Sequence, residues 1–200
     1  MKKLLIVVDM QNDFVTGSLG SSQAMRIVPA VKEKIDEYRK NGDHVIFTRD
    51  THADDYLNTQ EGKCLPVVHC IEGTEGHSII DDLDTNGCVV FDKPAFGSIK
   101  LAEMIAFKGA DDKNHYRNTD KQIGDDSVGM YRKDVCDYDE IELCGLCTDI
   151  CVVSNALILK AMLPETRITV DPSCCAGVTE ESHEAALLTM KMCHINVTGR

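Results

Sequence analysis

The chain lacks an excess of positive charge, a long apolar run, and any repeated or low-complexity tract, and each lack removes a class of function. Twenty-one basic residues stand against 33 acidic ones, a formal net charge of -12 over 200 residues. A surface of that sign repels phosphate backbones and anionic headgroups, so neither nucleic acid nor a membrane is expected as a partner. No apolar stretch approaches the roughly 20 residues that cross a bilayer. The opening Met1-Lys2-Lys3-Leu4-Leu5-Ile6-Val7-Val8 is broken at Asp9, which leaves an apolar core shorter than the about 7–15 residues of an export signal. It reads as the buried first strand of a cytoplasmic protein.

What is present is ordinary for a globular domain: 43% hydrophobic and 27% charged residues. A chain of this length fits one domain, 1–200, with a good core. Ten cysteines are many. Without an export signal they read as free thiols, mostly buried, with one catalytic or a few on a metal.

Leu4–Val8, His44–Thr48, Val89–Asp92, Ile141–Gly145, Arg167–Val170 and Ile195–Val197 read as strands from their β-branched aliphatic runs. Ile27, Val31, Ile35 and Tyr38 recur at helical spacing before Gly42. Asn155–Leu163 is a nearly all-apolar helix that stops at Pro164, and Thr179 can cap a last helix with Glu180 and Glu181 in its first turn. Strands alternating with helices predict an α/β fold, a three-layer αβα arrangement around a mostly parallel central sheet of about six strands. The polar segment 109–139 has weak periodicity and reads as a long loop or insertion, a mobile surface segment or a lid.

In open parallel sheets ligands bind beyond the carboxyl ends of the strands. The first strand runs into Asp9, the second into Arg49-Asp50-Thr51-His52, the third into Asp92-Lys93-Pro94, and the fourth into Cys147-Thr148-Asp149-Ile150-Cys151. A carboxylate, a candidate metal pair, a lysine and a cysteine loop thus converge on one rim. Cys151 lies where a loop enters a helix, with Thr148 or Asp149 available as a cap. A helix N-terminus and a nearby lysine both favour a thiolate, and a carboxylate can take its proton. Two other readings stand beside this: Cys151 as one more small buried residue, and metal binding by Cys144, Cys147 and Cys151, although the remaining pair Cys174-Cys175 is badly spaced for a structural zinc site. Asp50 and His52 alternate in an extended segment and share a face, and Glu61 and His69 follow. Such a set suits zinc, manganese or iron, or is a group of solvated loop residues. His44, His115, His183 and His194 have no companions at telling spacing and read as structural or exposed; His77 has no partner legible in the sequence.

Together these residues resemble the isochorismatase-like cysteine hydrolases, and within them the nicotinamidase-like, metal-carrying branch. The resemblance runs from Leu4 to about Val197 apart from 109–139. It rests on four motifs in order: Val8-Asp9-Met10-Gln11-Asn12-Asp13-Phe14, Thr48-Arg49-Asp50-Thr51-His52, Asp92-Lys93-Pro94 and Cys147-Thr148-Asp149-Ile150-Cys151-Val152. It implies a catalytic triad of Asp9, Lys93 and Cys151, a cis peptide at Leu146–Cys147, and an oxyanion hole from the backbone N–H groups of Cys147 and Cys151. It further implies one divalent metal ion, zinc before manganese or iron, on Asp50, His52, Glu61 and His69. Substrate contacts are expected from Phe14, Gln11 and Leu146, and a homo-oligomer, dimer or tetramer, is expected by analogy.

The implied reaction is hydrolysis of a small-molecule amide C–N bond, of nicotinamide or a related amide, through a cysteine thioester. A ureido or carbamoyl substrate, or isochorismate, is the alternative within the family, and a silent interaction domain is the alternative outside it. Isochorismate hydrolysis needs no cysteine nucleophile, and a silent domain has no need of Asp9, Lys93 and Cys151 together. The chain has no tryptophan, whereas nicotinamidases usually carry one shortly before the last histidine ligand. Here that stretch reads Cys64-Leu65-Pro66-Val67-Val68-His69-Cys70.

Overall fold

The computed structural model describes residues 1–108 and 136–198. Among them, six strands form one sheet: β1 (Lys3–Val8), β2 (His44–Asp50), β3 (Val89–Lys93), β4 (Glu140–Leu146), β5 (Arg167–Ala176) and β6 (Asn196–Val197). Their order is β3-β2-β1-β4-β5-β6, and every pairing is parallel. The expected α/β class and six-stranded sheet are therefore present, and the sheet is wholly parallel.

The helices are α1 (Asn12–Val15), α2 (Ser22–Lys40), α3 (Gln60–Cys64), α4 (Ile99–Lys108), α5 (Val153–Met162) and α6 (Glu180–Met192). The chain runs from β1 through α2 to β2 in one direction across the sheet, and from β3 through α4, β4, α5, β5 and α6 to β6 in the other. Right-handed crossovers then put α2 on one face and α4, α5 and α6 on the opposite face. The two central strands bury nearly everything they carry: Leu4 through Val8 are fully inaccessible and all of β4 is buried. That burial on both faces is why β1 reads as a continuous apolar run rather than an alternating one, while in β4 Glu140 and Glu142 interrupt the run and are paired with Lys3 and Lys34.

Ser21 caps α2, its hydroxyl accepting from the Ala24 N–H at 3.0 Å. Mid-helix, Lys34 reaches both Glu142 at 2.6 Å and Asp171 at 2.8 Å, and the Tyr38 hydroxyl donates to Glu142 at 2.6 Å. These contacts pin α2 across β4 and β5 beside the apolar Val31–Ile35–Tyr38 stripe. The polar segment expected at 109–139 lies outside the described residues up to 135, as does His115. Its last part leads into β4, with the Asp139 carboxylate accepting from the Lys2 N–H at 2.8 Å.

The strand order reverses between β1 and β4, the switch point where such sheets open a crevice at their carboxyl ends. Gly145 lies on that seam at φ +112°, and a Cβ there would collide with the carbonyl oxygen of Val8. Only glycine lets β4 approach β1 so closely just before the cysteine loop.

Candidate active site and metal centre

Asp9 follows β1 with φ +48°, a left-handed setting that aspartate tolerates better than most residues. The turn is fixed by β2: the Asp9 N–H donates to the Thr48 carbonyl at 3.2 Å, and the Thr48 hydroxyl donates to Asp9 Oδ1 at 2.7 Å. With Oδ1 held, Oδ2 faces Lys93 Nζ at 2.7 Å. Lys93 takes up one side of Oδ2, and the oxygen's second lone pair leaves it able to accept again. Lys93 ends β3 with its side chain fully buried, and its ammonium also lies 3.4 Å from Asp50 Oδ1 and 3.5 Å from Cys151 Sγ.

Cys151 lies in a π-helical turn, Thr148–Val152, that joins β4 to α5, and the Leu146–Cys147 peptide before it is cis. Neither Thr148 nor Asp149 caps this turn. Thr148 instead shares a hydrogen bond with His183 Nδ1 at 2.8 Å, and Asp149 accepts from the Val178 N–H at 3.1 Å. Asn155 on α5 completes the framework: its amide donates to the carbonyls of Cys151 at 2.8 Å and Phe96 at 3.0 Å, and its oxygen accepts from the Ser98 N–H at 3.0 Å.

The buried charges set one another's protonation. Burial disfavours a lone ammonium, but the carboxylates of Asp9 and Asp50 outweigh it and hold the Lys93 pKa above the ordinary lysine value. Burial raises the Asp9 carboxyl above the usual aspartate range, with Lys93 opposing, which makes Asp9 the better proton acceptor. Burial and the Asp9 carboxylate push the Cys151 thiol up as well, with Lys93 opposing, so the resting pair is a thiol beside an ammonium–carboxylate. The neighbouring Cys147 thiol is pushed up to about 12 by burial and Asp149.

A second cluster adjoins the first through Asp50. One ligand atom each from Asp50, His52, Glu61 and His69 lies within 4.8 Å of the other three. His52 Nε2 is 3.0 Å from Asp50 Oδ2 and 3.6 Å from Glu61 Oε1, and His69 Nε2 is 3.8 Å from each of the same oxygens. His69 Nδ1 lies 2.8 Å from the Val67 carbonyl. A carbonyl only accepts, so that nitrogen carries a proton, and the neutral ring then has its Nε2 lone pair toward the cluster, the tautomer a metal needs. Two imidazoles and two carboxylates converging in a buried corner fit a borderline divalent ion. Tyr56 packs tilted against the His52 ring, with centroids 4.6 Å apart, and edge-to-face against the His69 ring at 4.9 Å, and anchors its hydroxyl on the Leu65 carbonyl at 2.9 Å.

The two clusters share a cavity of about 350 Å³. Cys151, Cys147, Asp50, Glu61 and His69 reach it, and its walls are mostly apolar: Phe14, Leu65, Phe96, Leu146, Ile150 and Val178. Phe14 and Leu146, expected as substrate contacts, both line it. Gln11 does not. Its amide nitrogen donates to the carbonyls of Asp50 and His77, both at 2.9 Å, and its oxygen accepts from the Asp50 N–H at 2.7 Å. Gln11 is fully buried and bolts the end of β2 to β1, which corrects its expected place in the pocket.

Several neighbours were not singled out in the sequence: Thr48, Tyr56, Phe96, Asn155 and Val178. Asn155 had a usable signal, a lone amide inside an otherwise apolar helix, because a buried amide must find partners. His183, read as structural or exposed, is buried behind the cysteine loop, and His77 pairs through Nε2 with the Thr51 hydroxyl at 2.9 Å.

An open parallel sheet with a carboxylate, a lysine and a thiol gathered at its switch point defines an α/β protein with a candidate active site at the carboxyl ends of its strands. The family model of the isochorismatase domain matches residues 3–112 and 128–200, and the chain belongs to that family. The unmatched stretch, 113–127, is shorter than the break anticipated at 109–139. An isochorismatase family protein, PncA, of Bacillus subtilis, described as uncharacterized, is 30% identical over 190 residues, 94% of this chain and 93% of that one. A nicotinamidase/pyrazinamidase of Mycobacterium tuberculosis is 28% identical over 201 residues, 98% of this chain and 97% of that one. The crystal structure of a pyrazinamidase of Pyrococcus horikoshii in complex with zinc shares the fold, with a TM-score of 0.75 at 24% identity over all of both chains.

The placement of Gln11 separates a scaffold role from a substrate contact. Gln11→Ala removes three buried hydrogen bonds of about 1 kcal/mol each. It is expected to lower unfolding stability by about 2–4 kcal/mol in a urea titration. Unchanged stability with a raised KM would return Gln11 to the pocket.

Proposed function

We propose that this chain hydrolyses a small aromatic carboxamide of the nicotinamide type to the acid and ammonia, through a thioester on Cys151. The observation that carries the reading is the fully buried Lys93 ammonium, 2.7 Å from Asp9 and 3.5 Å from Cys151, which itself lines an apolar cavity.

Asp9, with Oδ1 tied to Thr48, offers Oδ2 as the base that takes the Cys151 proton. Lys93 compensates the negative charge as it passes from carboxylate to sulfur, so the site's net charge stays constant. The sulfur adds to the amide carbonyl carbon, and the backbone N–H groups of Cys147 and Cys151 receive the oxyanion. Protonated Asp9 then gives its proton to the leaving nitrogen, and ammonia departs as the tetrahedral carbon collapses to the thioester. Asp9, again a carboxylate, deprotonates the water that hydrolyses the thioester, and the thiol recovers its proton. The sum is amide plus water to acid plus ammonia.

Phe14, Leu65 and Phe96 supply apolar walls for a flat ring, with Leu65 in the stretch where nicotinamidases usually carry tryptophan. Among the described lining residues the charged ones are Asp50 and Glu61, both acidic. No lysine or arginine is among them to pair with an anionic ureido acid, so a neutral amide fits better. Asp50, His52, Glu61 and His69 would hold one divalent ion, zinc before manganese or iron. When bound, such an ion supplies a Lewis-acidic anchor for a ring nitrogen or a water.

An ammonia-release assay across pyridine carboxamides, ureido acids and carbamoyl amines tests the reading. The wild-type chain is expected to favour the neutral ring amides. Cys151→Ala is expected to lose at least about 10³-fold in kcat with its fold intact; retained activity in that variant excludes the nucleophile.

Elemental analysis of the purified chain is expected to find one divalent ion per molecule, and His69→Ala is expected to lose it. A metal-free chain whose thermal midpoint ignores added zinc would remove Asp50, His52, Glu61 and His69 as ligands.

A further inference from the structure

The turn that carries Cys151 has no side-chain cap of its own, yet its two polar residues are both engaged from behind. Thr148 is fully buried, and among the described residues its hydroxyl is met by His183 Nδ1 at 2.8 Å. Asp149 accepts from the Val178 N–H on the connection between β5 and α6. Gly177 on that connection allows the approach: a Cβ there would lie 2.9 Å from the His183 Cβ and 3.2 Å from Asp149 Oδ1.

His183 is itself rigidly seated. It lies in the first turn of α6, where Thr179 and Ser182 form a reciprocal capping box, and its N–H donates to the Thr179 carbonyl at 3.0 Å. The ring is buried and does not line the cavity. From the other side Asn155 holds the Cys151 carbonyl, and the Cys147 carbonyl accepts from the N–H groups of Ile150 and Val152. The segment 147–152 is therefore clamped between α5 and α6. Its only side-chain link to the body of α6 among these contacts is the Thr148–His183 hydrogen bond.

We propose that His183 is a positioning residue for the hydrolysis: through Thr148 it holds the Cys147–Cys151 loop where the thiol meets Lys93. The inference rests on the amide-hydrolase reading for its kinetic consequence, but the clamp is open to measurement without a substrate. If His183 is removed, a buried hydroxyl loses its partner and the loop has one fewer anchor. A displacement of about 1 Å at a nucleophile costs on the order of 100-fold in rate.

The test compares His183→Leu, His183→Asn, Thr148→Val and the double variant His183→Leu/Thr148→Val. Asparagine can place a polar atom near the position of Nδ1, whereas leucine cannot. Two readouts apply: kcat and KM on an amide that the wild-type chain cleaves, and amide hydrogen exchange of the 147–152 segment. His183→Leu and Thr148→Val are each expected to lower kcat by about 10–100-fold with KM within about threefold. Each is expected to speed exchange in 147–152 at least about tenfold while β1 and β4 stay protected. His183→Asn is expected to recover most of both, and the double variant to be no worse than the poorer single one. Wild-type exchange in 147–152 in the leucine variant, kcat within twofold of wild type, or an asparagine variant as impaired as leucine would each overturn the proposal. If leucine prevents folding, Thr148→Val decides by the same two readouts. If the wild-type chain cleaves no amide, the hydrolase reading fails and exchange alone judges the clamp.

Discussion

A buried ammonium cannot stand without acids around it, and the arrangement of this molecule's rim follows from that constraint on Lys93. Moving one charge out of water costs several kcal/mol unless counter-charges and hydrogen bonds replace the lost hydration. Lys93 has three acidic neighbours, Asp9, Asp50 and Cys151, each delivered by the end of a different strand or the turn after it. β1 supplies Asp9, β2 supplies Asp50, and β4 leads to Cys151. The lysine at the end of β3 thus ties together the carboxyl ends of four strands and joins the thiol corner to the Asp50–His52–Glu61–His69 corner.

That geometry also supports the proposed chemistry. Asp9 and Cys151 share the same cation, so moving a proton from sulfur to carboxylate changes which of them is ionised without changing the net charge beside Lys93. Burial raises both acids, and Lys93 opposes the rise in each. Asp50 serves both corners, one oxygen toward Lys93 and the other toward His52 and His69. The Gln11 carboxamide fixes the backbone of Asp50 and so acts on both at once.

β1 was legible because it is buried on both faces and leaves an uninterrupted aliphatic run, and β4 from Ile141, Leu143 and Cys144 leading into Gly145, although Glu142 breaks its run. The rim followed from them, since whatever comes after a parallel strand must appear at its carboxyl end. α4 was not legible: Ile99 and Phe107 are exposed at 61% and 58%, which blurs the apolar stripe that marks an amphipathic helix. The supporting residues were illegible for a different reason. Thr48, Tyr56 and His183 take their roles from partners 39, 13 and 35 positions away, and no local pattern announces such a meeting. Gln11 sits two residues past Asp9, whose left-handed turn aims the glutamine inward at β2 rather than into the cavity.

The central claim is that Cys151 becomes covalently bonded to the acyl part of the substrate. Rapid acid quench of the wild-type chain during turnover of a pyridine carboxamide, followed by intact-mass and peptide-mass measurement, reads that bond directly. The account predicts a transient adduct equal to the substrate less ammonia, confined to the peptide containing Cys151. Turnover with no adduct at any quench time, or an adduct on another residue, would contradict it.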